Sequence, residues 1–377
     1  MKKRILYSYI AVLLFFIFSF LISKFLNTYA FTNIEETDFL SGVGFDVTEK
    51  LDEKTYHVPV SIYNFSKNGE ISTYLIDSKG ETTLQARVDR KLHSGRNISL
   101  GSEKIYIFSK RICKDGISVP LDGLLNNAQV TNKSLVVTTN SNPSEILSFK
   151  VEGYPSSSHY IHNLLNSLSS FSYISNNETL HDAYIKNTTE GCKFFAPNID
   201  IVNNSLQLTS LTVLDKGKLV ASLPIDNLHY LNLLSNKEGT GIVTYISDKN
   251  NTISFEHFFN RKIKCKKNDN GFVFDINLKL KGKIVNNNYL STSEITPYQK
   301  AELEKKISEF IKSGLNDFIS SMKSDYKLDL INLGNIAAAH YGRNKIPNWD
   351  DEILKSTINV NVDFKISKFG IGNINLD

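Results

Sequence analysis

The chain has 377 residues, a formal net charge of +4 and three cysteines. Its basic excess lies at Lys2, Lys3, Arg4 and Lys24, ahead of the first acidic residue, so the rest of the chain is neutral. This balance argues against nucleic acid as a partner, because phosphate binding needs clustered lysine and arginine. The length exceeds one ordinary hydrophobic core and predicts two or three domains.

An uncharged apolar stretch occupies residues 5–23, between Arg4 and Lys24. As a helix it would extend about 28 Å, close to the roughly 30 Å hydrocarbon core of a bilayer. The positive flank predicts a single-pass anchor with a cytoplasmic N-terminus and an extracytoplasmic body. The alternative is a signal peptide cleaved after Ala30, because Thr28, Tyr29 and Ala30 resemble a small-residue cleavage site.

The three cysteines are sparse and odd in number, so they do not form a disulfide framework. No C-x-x-C pair occurs, which excludes a zinc ribbon or a redox pair of that type. Cys113, Cys192 and Cys265 are each interpreted as small buried hydrophobic residues, and a Cys192–Cys265 bridge is left open.

The first half of the chain alternates strand and helix patterns. Gly42 and Gly44 match the first two glycines of a G-x-G-x-x-G phosphate loop, but Val47 occupies the position of the third. A strand and a turn are therefore predicted here rather than a dinucleotide-binding loop. A second strand is predicted through Tyr56, Val58, Val60 and Ile62. Helices are predicted at 81–93, at 122–128 and around Ile161 to Leu168, strands at 105–108 and 134–139, and a polar domain linker at 175–203. Alternating elements over 105–147 indicate partly parallel pairing.

The second half has the pattern of long antiparallel strands. Predicted here are a hairpin at 206–223 turning at 215–218, a short helix from Asp226, a strand over 253–265, a turn at Asn270–Gly271 and a return strand over 272–280. Thr296, Pro297 and Gln299 have the pattern of a capped helix start, and an amphipathic helix of about 28 residues follows. Alternation over 358–366 predicts a closing half-buried strand.

Few residues are candidates for chemistry. His159 and His162 are three apart on a predicted helix, but no third zinc ligand is evident, so they are interpreted as surface histidines. A basic cluster near the predicted hairpin is a candidate surface for anionic lipid or an acidic partner, and otherwise a solvated hairpin tip; it comprises Arg261, Lys262, Lys264, Lys266 and Lys267. No catalytic, cofactor-binding or metal-binding residue is predicted, and the chain is predicted not to be an enzyme.

Several stretches, in order, resemble the Ger(x)C family, the C subunits of nutrient-germinant receptors in spore-forming bacteria. The similar stretches are 30–36, Asp38 to Leu40 with Gly44 to Asp46, the block 105–147, the hairpin 206–223, Tyr326 to Asp329, Trp349–Asp350 and the closing strand. The resemblance implies a three-domain α+β protein on the outer face of the inner spore membrane. It also implies two membrane-embedded partners, the A- and B-type subunits, and no catalysis.

One departure from the family pattern concerns lipidation. Ala30 occupies the position of the family's lipobox cysteine, and no cysteine precedes Cys113. Thioether lipidation needs that sulfur, so the apolar helix is expected to hold the chain at the membrane. The predicted divisions are an anchor or signal segment at 1–29, a domain at 30–200 and a region at 201–377, with lobes at 201–290 and 291–377.

The predicted function is a membrane-tethered receptor subunit that acts in assembly and signalling. Two alternatives remain at this stage. The first is an extracytoplasmic protein that binds the germinant itself, which requires an apolar pocket with a few convergent polar groups. The second is a cell-envelope hydrolase, which requires a cleft with clustered carboxylates or histidines of perturbed pKa.

Overall fold

The computed structural model describes residues 2–26, 34–51, 53–169, 178–248, 251–269, 271–287 and 296–368. Eleven α-helices are assigned within these ranges: α1 (Lys2–Leu26), α2 (Thr83–His93), α3 (Lys110–Asp115), α4 (Ser118–Leu125), α5 (Pro143–Ser148), α6 (Ser157–Ser169), α7 (Leu180–Thr188), α8 (Leu228–Ser235), α9 (Pro297–Ser321), α10 (Leu333–Tyr341) and α11 (Trp349–Lys355). Among the side chains that the structure describes, no helix has an apolar stretch long enough to cross a membrane.

The first sheet is mixed and contains, in the described residues, 11 strands. They are β1 (Thr37–Lys50), β2 (Glu53–His57), β3 (Val60–Phe65), β4 (Ile71–Ile76), β5 (Lys79–Gly80), β6 (Asn97–Ser99), β7 (Ile105–Ser109), β8 (Leu135–Thr139), β9 (Phe194–Val202), β10 (Ser205–Asp215) and β11 (Lys218–Pro224). The long path runs β11-β10-β9-β8-β7-β1-β2-β5. Strands β1, β7 and β8 are parallel, as predicted for the block 105–147.

Strands β7 and β8 are buried on both faces, which explains their continuous apolar sequence. Ile105 and Ile107 of β7 point into one hydrophobic core, whereas Tyr106 and Phe108 point into a second core on the opposite face. The second core also contains Ala86 of α2 and residues of α3, α4 and α7. Helices α2 and α4 therefore cover the same face of the first sheet as Tyr106.

The second sheet has the order β12-β13-β14-β15, with β12 (Glu238–Asp248), β13 (Asn251–Asn268), β14 (Gly271–Asn287) and β15 (Thr357–Lys368). Helix α9 packs across its inner face, and the predicted stripe from Leu303 to Ile319 is buried except at Phe310, which is 36% exposed. The capping box predicted at Thr296 and Gln299 is present, with Thr296 Oγ1 accepting a hydrogen bond from the Gln299 N–H at 3.2 Å. The first hydrophobic core continues from the first sheet into this one.

A buried carboxylate fixes α9 against β15. Glu304 of α9 is 7% exposed and accepts hydrogen bonds from the Ile366 N–H at 2.9 Å and from Lys365 Nζ at 3.0 Å. Ser308, one turn further along, accepts from the Phe364 N–H at 3.0 Å. Side chains of α9 therefore accept hydrogen bonds from backbone N–H groups of β15, an edge strand whose N–H groups would otherwise lack partners.

Three local predictions in the first half differ from the structure in their bounds. The predicted second strand is two strands, β2 and β3, separated at Val58 and Pro59. The Val58 N–H donates to the Ser78 carbonyl, and the Pro59 carbonyl accepts from the Gly44 N–H at 2.8 Å. The helix predicted at 122–128 is α4, which begins at Ser118 because Pro120 is accepted in a first helical turn. Helix α2 begins two residues after the predicted start, with Thr82 as its N-cap.

The linker predicted at 175–203 is wrong over its described part, which starts at residue 178. It contains α7, capped by Thr179 and Asp182, and the buried strand β9. Strand β9 pairs with β10 through Ser205↔Val202, so the first sheet continues across the predicted division between 200 and 201. As a boundary between domains, that division stays a prediction.

Both hairpins predicted in the second half are present, but Gly271, which was predicted in the turn of the second, is the first residue of β14 and pairs with Asn268. The turn of the predicted hairpin 206–223 lies between Asp215 and Lys218, which are paired in register. Strands β13 and β14 pair up to Asn268↔Gly271; Asn270 itself lies outside the described residues, as does Ala30. The three cysteines are free thiols, so no Cys192–Cys265 bridge is present.

A buried ion pair joins the first sheet to the C-terminal helices. Lys193, just before β9, extends Nζ to Asp350 Oδ1 at 2.7 Å and Oδ2 at 3.0 Å, and its N–H bonds to Asn332 Oδ1 at 2.9 Å. Asp350 also accepts from the Asp329 N–H at 2.6 Å. The stretches Tyr326 to Asp329 and Trp349–Asp350, noted in the sequence, therefore fix the contact between the two parts of the molecule.

Candidate functional site

The ends of the parallel strands carry two carboxylates, and both are fully occupied by hydrogen bonds. Asp46 accepts from Ser109 Oγ at 2.5 Å, from Arg111 and from the Val47 N–H at 2.8 Å. Burial raises the pKa of Asp46, but the hydrogen bonds from Arg111, Ser109 and Val47 together outweigh that effect and lower it. A carboxylate held in this way serves a structural role at the strand end.

The second carboxylate, Asp200 of β9, has the same character. It accepts from the Thr139 hydroxyl at 2.9 Å, from the Asn140 N–H at 2.8 Å and from the Thr209 hydroxyl at 2.9 Å. Burial raises its pKa, but the Asn140 and threonine hydrogen bonds outweigh that effect and lower it. Asp200 therefore fixes β8, β9 and β10 relative to one another.

The two predicted histidines have different surroundings. His159 Nδ1 lies 3.1 Å from the Tyr63 hydroxyl and 3.3 Å from Ser156 Oγ, and burial lowers its pKa. His162 is half-buried, and its Nδ1 lies near the side chains of Asn163 and Asn166. Among the described residues, no group of three or more histidine, cysteine, aspartate or glutamate side chains could hold a metal ion.

The structure divides the predicted basic cluster between two faces of β13. Lys262, Lys264 and Lys266 alternate along the exposed face, as the pairs Lys262↔Asn277 and Lys264↔Asp275 place them on the outer side of the second sheet. Arg261 points inward, donates to the Leu234 carbonyl, and has its pKa lowered to about 10 by burial. Lys267 Nζ lies 5.4 Å from the centre of the Phe272 ring. A role for this cluster in binding stays a prediction.

A cavity with a volume of about 550 Å³ lies between α2, α4 and the strands β1 and β7. Its walls are apolar near the sheet, where Leu40, Phe45 and Val58 line it. This volume falls within the roughly 300–1,000 Å³ range of small-molecule sites. Polar residues, several of them basic, form the rest of the lining.

Two of those polar groups are buried without partners. Arg90 of α2 is 7% exposed, and its Nη1 has no hydrogen-bond acceptor among the described residues. The Tyr106 hydroxyl of β7 is fully buried and also unpaired within the described part of the chain. Burial, followed by the like charge of Arg87, lowers the pKa of Arg90 to about 10, and burial raises the pKa of Tyr106.

This cavity was not predicted from the sequence, although one signal was available. Ala86 and Arg90 are four residues apart on α2 and share its buried face. An arginine one turn from a buried alanine indicates a charge facing the protein interior. That the charge meets a cavity, rather than a carboxylate, depends on the packing of α2 and α4.

Comparisons with known proteins agree with the family resemblance. The model described as "Spore germination protein N-terminal domain" matches residues 31–201, and that described as "Spore germination B3/ GerAC like, C-terminal" matches residues 209–370. The chain is 22% identical over 349 residues to the spore germination protein GerQC of Bacillus cereus, covering 90% of this chain and 93% of that protein.

The fold also has a counterpart among solved structures. The crystal structure of the GerBC protein matches with a TM-score of 0.57 and 14% sequence identity, covering 86% of this chain and 97% of that chain. A match of this coverage supports the mixed α+β architecture of sheets and packed helices. Together with the two family models, which follow each other along nearly the whole chain, these similarities show that the chain belongs to the Ger(x)C family of spore germination proteins, the subunits of germinant receptors.

Proposed function

We propose that this chain is a membrane-tethered, non-enzymatic subunit of a nutrient-germinant receptor in spores, where it acts in receptor assembly and signalling. The observation that carries the proposal is the match of both family models, in order, over residues 31–201 and 209–370. Its partners are the membrane-embedded A- and B-type subunits, and its body lies on the outer face of the inner spore membrane.

Tethering by helix α1 is supported by its composition. Residues 5–23 carry no charge, and the large apolar side chains described in this helix, from Tyr7 to Ile22, are exposed. An exposed apolar surface of this kind requires a cover, and lipid is the cover that an N-terminal helix with a basic flank fits. With Ala30 in place of the lipobox cysteine, acylation cannot supply the tether.

Weak contacts suffice for a tethered subunit. Confinement to one membrane face raises the effective concentration of the body near membrane-embedded partners. Because the body is neutral, its binding is expected to depend on shape and apolar contact more than on electrostatic steering. Loss of the tether is therefore expected to reduce function more than neutralising any one side chain.

The test is nutrient germination of spores that carry the wild-type chain, an exported form without residues 1–29, or a variant with Lys262, Lys264 and Lys266 changed to glutamine. A matched control changes Lys305, Lys306 and Lys312 of α9 to glutamine, which removes the same charge elsewhere. Pull-down of the tethered form from spore membranes is expected to recover the A- and B-type subunits.

Two outcomes would contradict the proposal. Normal germination with the untethered form, at normal expression, would favour a diffusible binding protein. A mature N-terminus at Phe31, found by sequencing the native protein, would show that the apolar segment is removed and does not anchor the chain.

A further inference from the structure

We propose that the cavity between α2, α4 and the first sheet binds a small molecule with one carboxylate group and an apolar body. The carboxylate would meet Arg90 and the Tyr106 hydroxyl, and the body would lie against the apolar walls of β1 and β7. The proposal concerns a property of the chain itself and goes beyond its role as a receptor subunit.

The first argument is the unpaired charge of Arg90. Arg90 is 7% exposed as a whole residue, and a guanidinium at a buried position normally pairs with a carboxylate, because an uncompensated buried charge is costly. Among the described residues Arg90 makes no ion pair, its Nη1 is buried without a hydrogen-bond partner, and the charge acting on it is that of Arg87, of the same sign. An anion in the cavity would remove this cost, and the planar guanidinium presents paired donors that match a carboxylate.

The second argument is the charge around the cavity. The basic residues that line it are Arg87, Arg90, Lys91 and Arg96. The acidic residue in the lining is Glu36. Arg96 is drawn towards the buried Asp38, at 3.6 Å, and is thereby partly neutralised. The remaining excess is positive, so the mouth of the cavity attracts an anion rather than a cation.

The third argument is Tyr106. Its hydroxyl lies on a fully buried strand and has no partner among the described residues. A buried hydroxyl without a hydrogen bond is destabilising, so its retention beside a cavity indicates an absent acceptor. Because burial raises the pKa of this phenol, the group stays protonated and can donate to a carboxylate.

The fourth argument is the remainder of the wall. Besides Leu40, Phe45 and Val58, the lining includes Val43, Ile98 and Leu124, so the cavity has a substantial apolar wall beside its polar one. A fully hydrated anion such as inorganic phosphate would leave this surface empty. An apolar body attached to the carboxylate would instead cover this surface and remove it from water, which favours binding.

The experiment uses the full chain in nanodiscs of neutral lipid, with binding measured by calorimetry and by ligand-observed NMR. The probes are 4-phenylbutyrate, its neutral amide 4-phenylbutanamide, and inorganic phosphate. We expect the carboxylate to bind at least about tenfold more tightly than the amide, because a hydrogen bond to a charged group contributes about 1.5–3 kcal/mol. Phosphate is expected to compete weakly.

Variants separate binding from folding. Arg90→Met retains the packing stem and removes the charge, so it should abolish the preference for carboxylate over amide without lowering the melting temperature of the unliganded chain. Arg90→Lys should retain part of the preference, and Tyr106→Phe should weaken carboxylate binding several-fold. Arg343→Met, which removes an exposed arginine from another part of the molecule, should change nothing.

The proposal is overturned if neither organic probe binds at millimolar concentration, or if wild type and Arg90→Met bind the carboxylate equally. It is also overturned if phosphate binds as tightly as 4-phenylbutyrate, because the site would then recognise only the negative charge of a ligand and not its apolar body. A large fall in the stability of unliganded Arg90→Met would show that the arginine supports the fold rather than a ligand.

Discussion

Replacing Lys193 by methionine is expected to destabilise the chain strongly, because it removes one member of a buried ion pair. The Lys193 side chain is 5% exposed and that of Asp350 is 15% exposed, so neither charge is screened by solvent. Asp350 would lose its Lys193 contacts at 2.7 and 3.0 Å and keep the hydrogen bond from the Asp329 N–H.

The magnitude follows from the uncompensated charge. Breaking a buried pair by removing one partner costs about 3–5 kcal/mol, a large part of the roughly 5–15 kcal/mol by which ordinary domains are stable. Asp329 should add to the loss of stability. Burial already raises its pKa to about 6, and Lys193 is one of the groups that oppose this rise. Without the lysine, the pKa of Asp329 should rise further.

The assay is urea unfolding of the full chain in detergent micelles, followed by far-UV circular dichroism and by the fluorescence of Trp349. Trp349 is the single tryptophan, and its Nε1 donates to Glu190 Oε1 at 2.7 Å, next to the ion pair. The double variant Lys193→Met with Asp350→Asn removes the stranded charge and retains an acceptor, so it should recover much of the loss.

The matched control is Lys54→Met, which breaks the exposed pair with Asp115, where the two side chains are 43% and 29% exposed. Its unfolding midpoint should stay near that of wild type, since exposed ion pairs contribute little. If Lys193→Met costs no more than Lys54→Met, or if Asp350→Asn fails to compensate, the reasoning from burial is wrong.

Two further predictions concern the contact of α8 with its neighbours. Burial lowers the pKa of His229 to about 4 and of His257 to about 3 in the folded chain. Both histidines are therefore neutral in the folded chain above the ordinary histidine pKa of about 6.5, and the free energy of unfolding falls as the pH drops from that value towards the lowered pKa values. Each histidine should lower the free energy of unfolding by roughly 2 kcal/mol at pH 5, and His257→Leu should reduce the slope of that free energy against pH by about half. An unchanged slope would show that His257 does not titrate in this way. Gly314→Ala should lower the unfolding midpoint, because its Cβ would lie 2.4 Å from the Tyr230 hydroxyl and overpacking costs about 1–3 kcal/mol. Gly123→Ala, whose Cβ would meet nothing nearer than 3.9 Å, should raise the midpoint, and a similar effect of both alanines would show that α8 does not press on α9.

Local signals in the sequence were sufficient for much of the second half of the chain. Thr296, Pro297 and Gln299 determine a helix start among themselves, since a capping box is a contact within four residues. The alternation from Ile358 to Ile366 needs only a half-buried strand, and β15 provides it. The family resemblance likewise depended on the order of short stretches along the chain.

Patterns failed where a polar sequence is buried by distant partners. The stretch 175–203 is rich in asparagine and was interpreted as a linker, yet β9 is placed between β8 and β10, where Asn198 and Asp200 find hydrogen-bond partners. The basic cluster is contiguous in sequence but divides between two faces, because successive residues of a strand point to opposite sides.

The sequence by itself therefore determined which segments form capped helices and alternating strands, and to which family the chain is similar, because these features depend on neighbouring residues and their order. Tertiary structure alone decided the pairing of Lys193 with Asp350 and the isolation of Arg90 and Tyr106 beside a cavity. Contacts between residues far apart in the chain produce no periodic pattern in the sequence. A lysine or an arginine is the same residue type whether the fold buries its charge or leaves it in solvent.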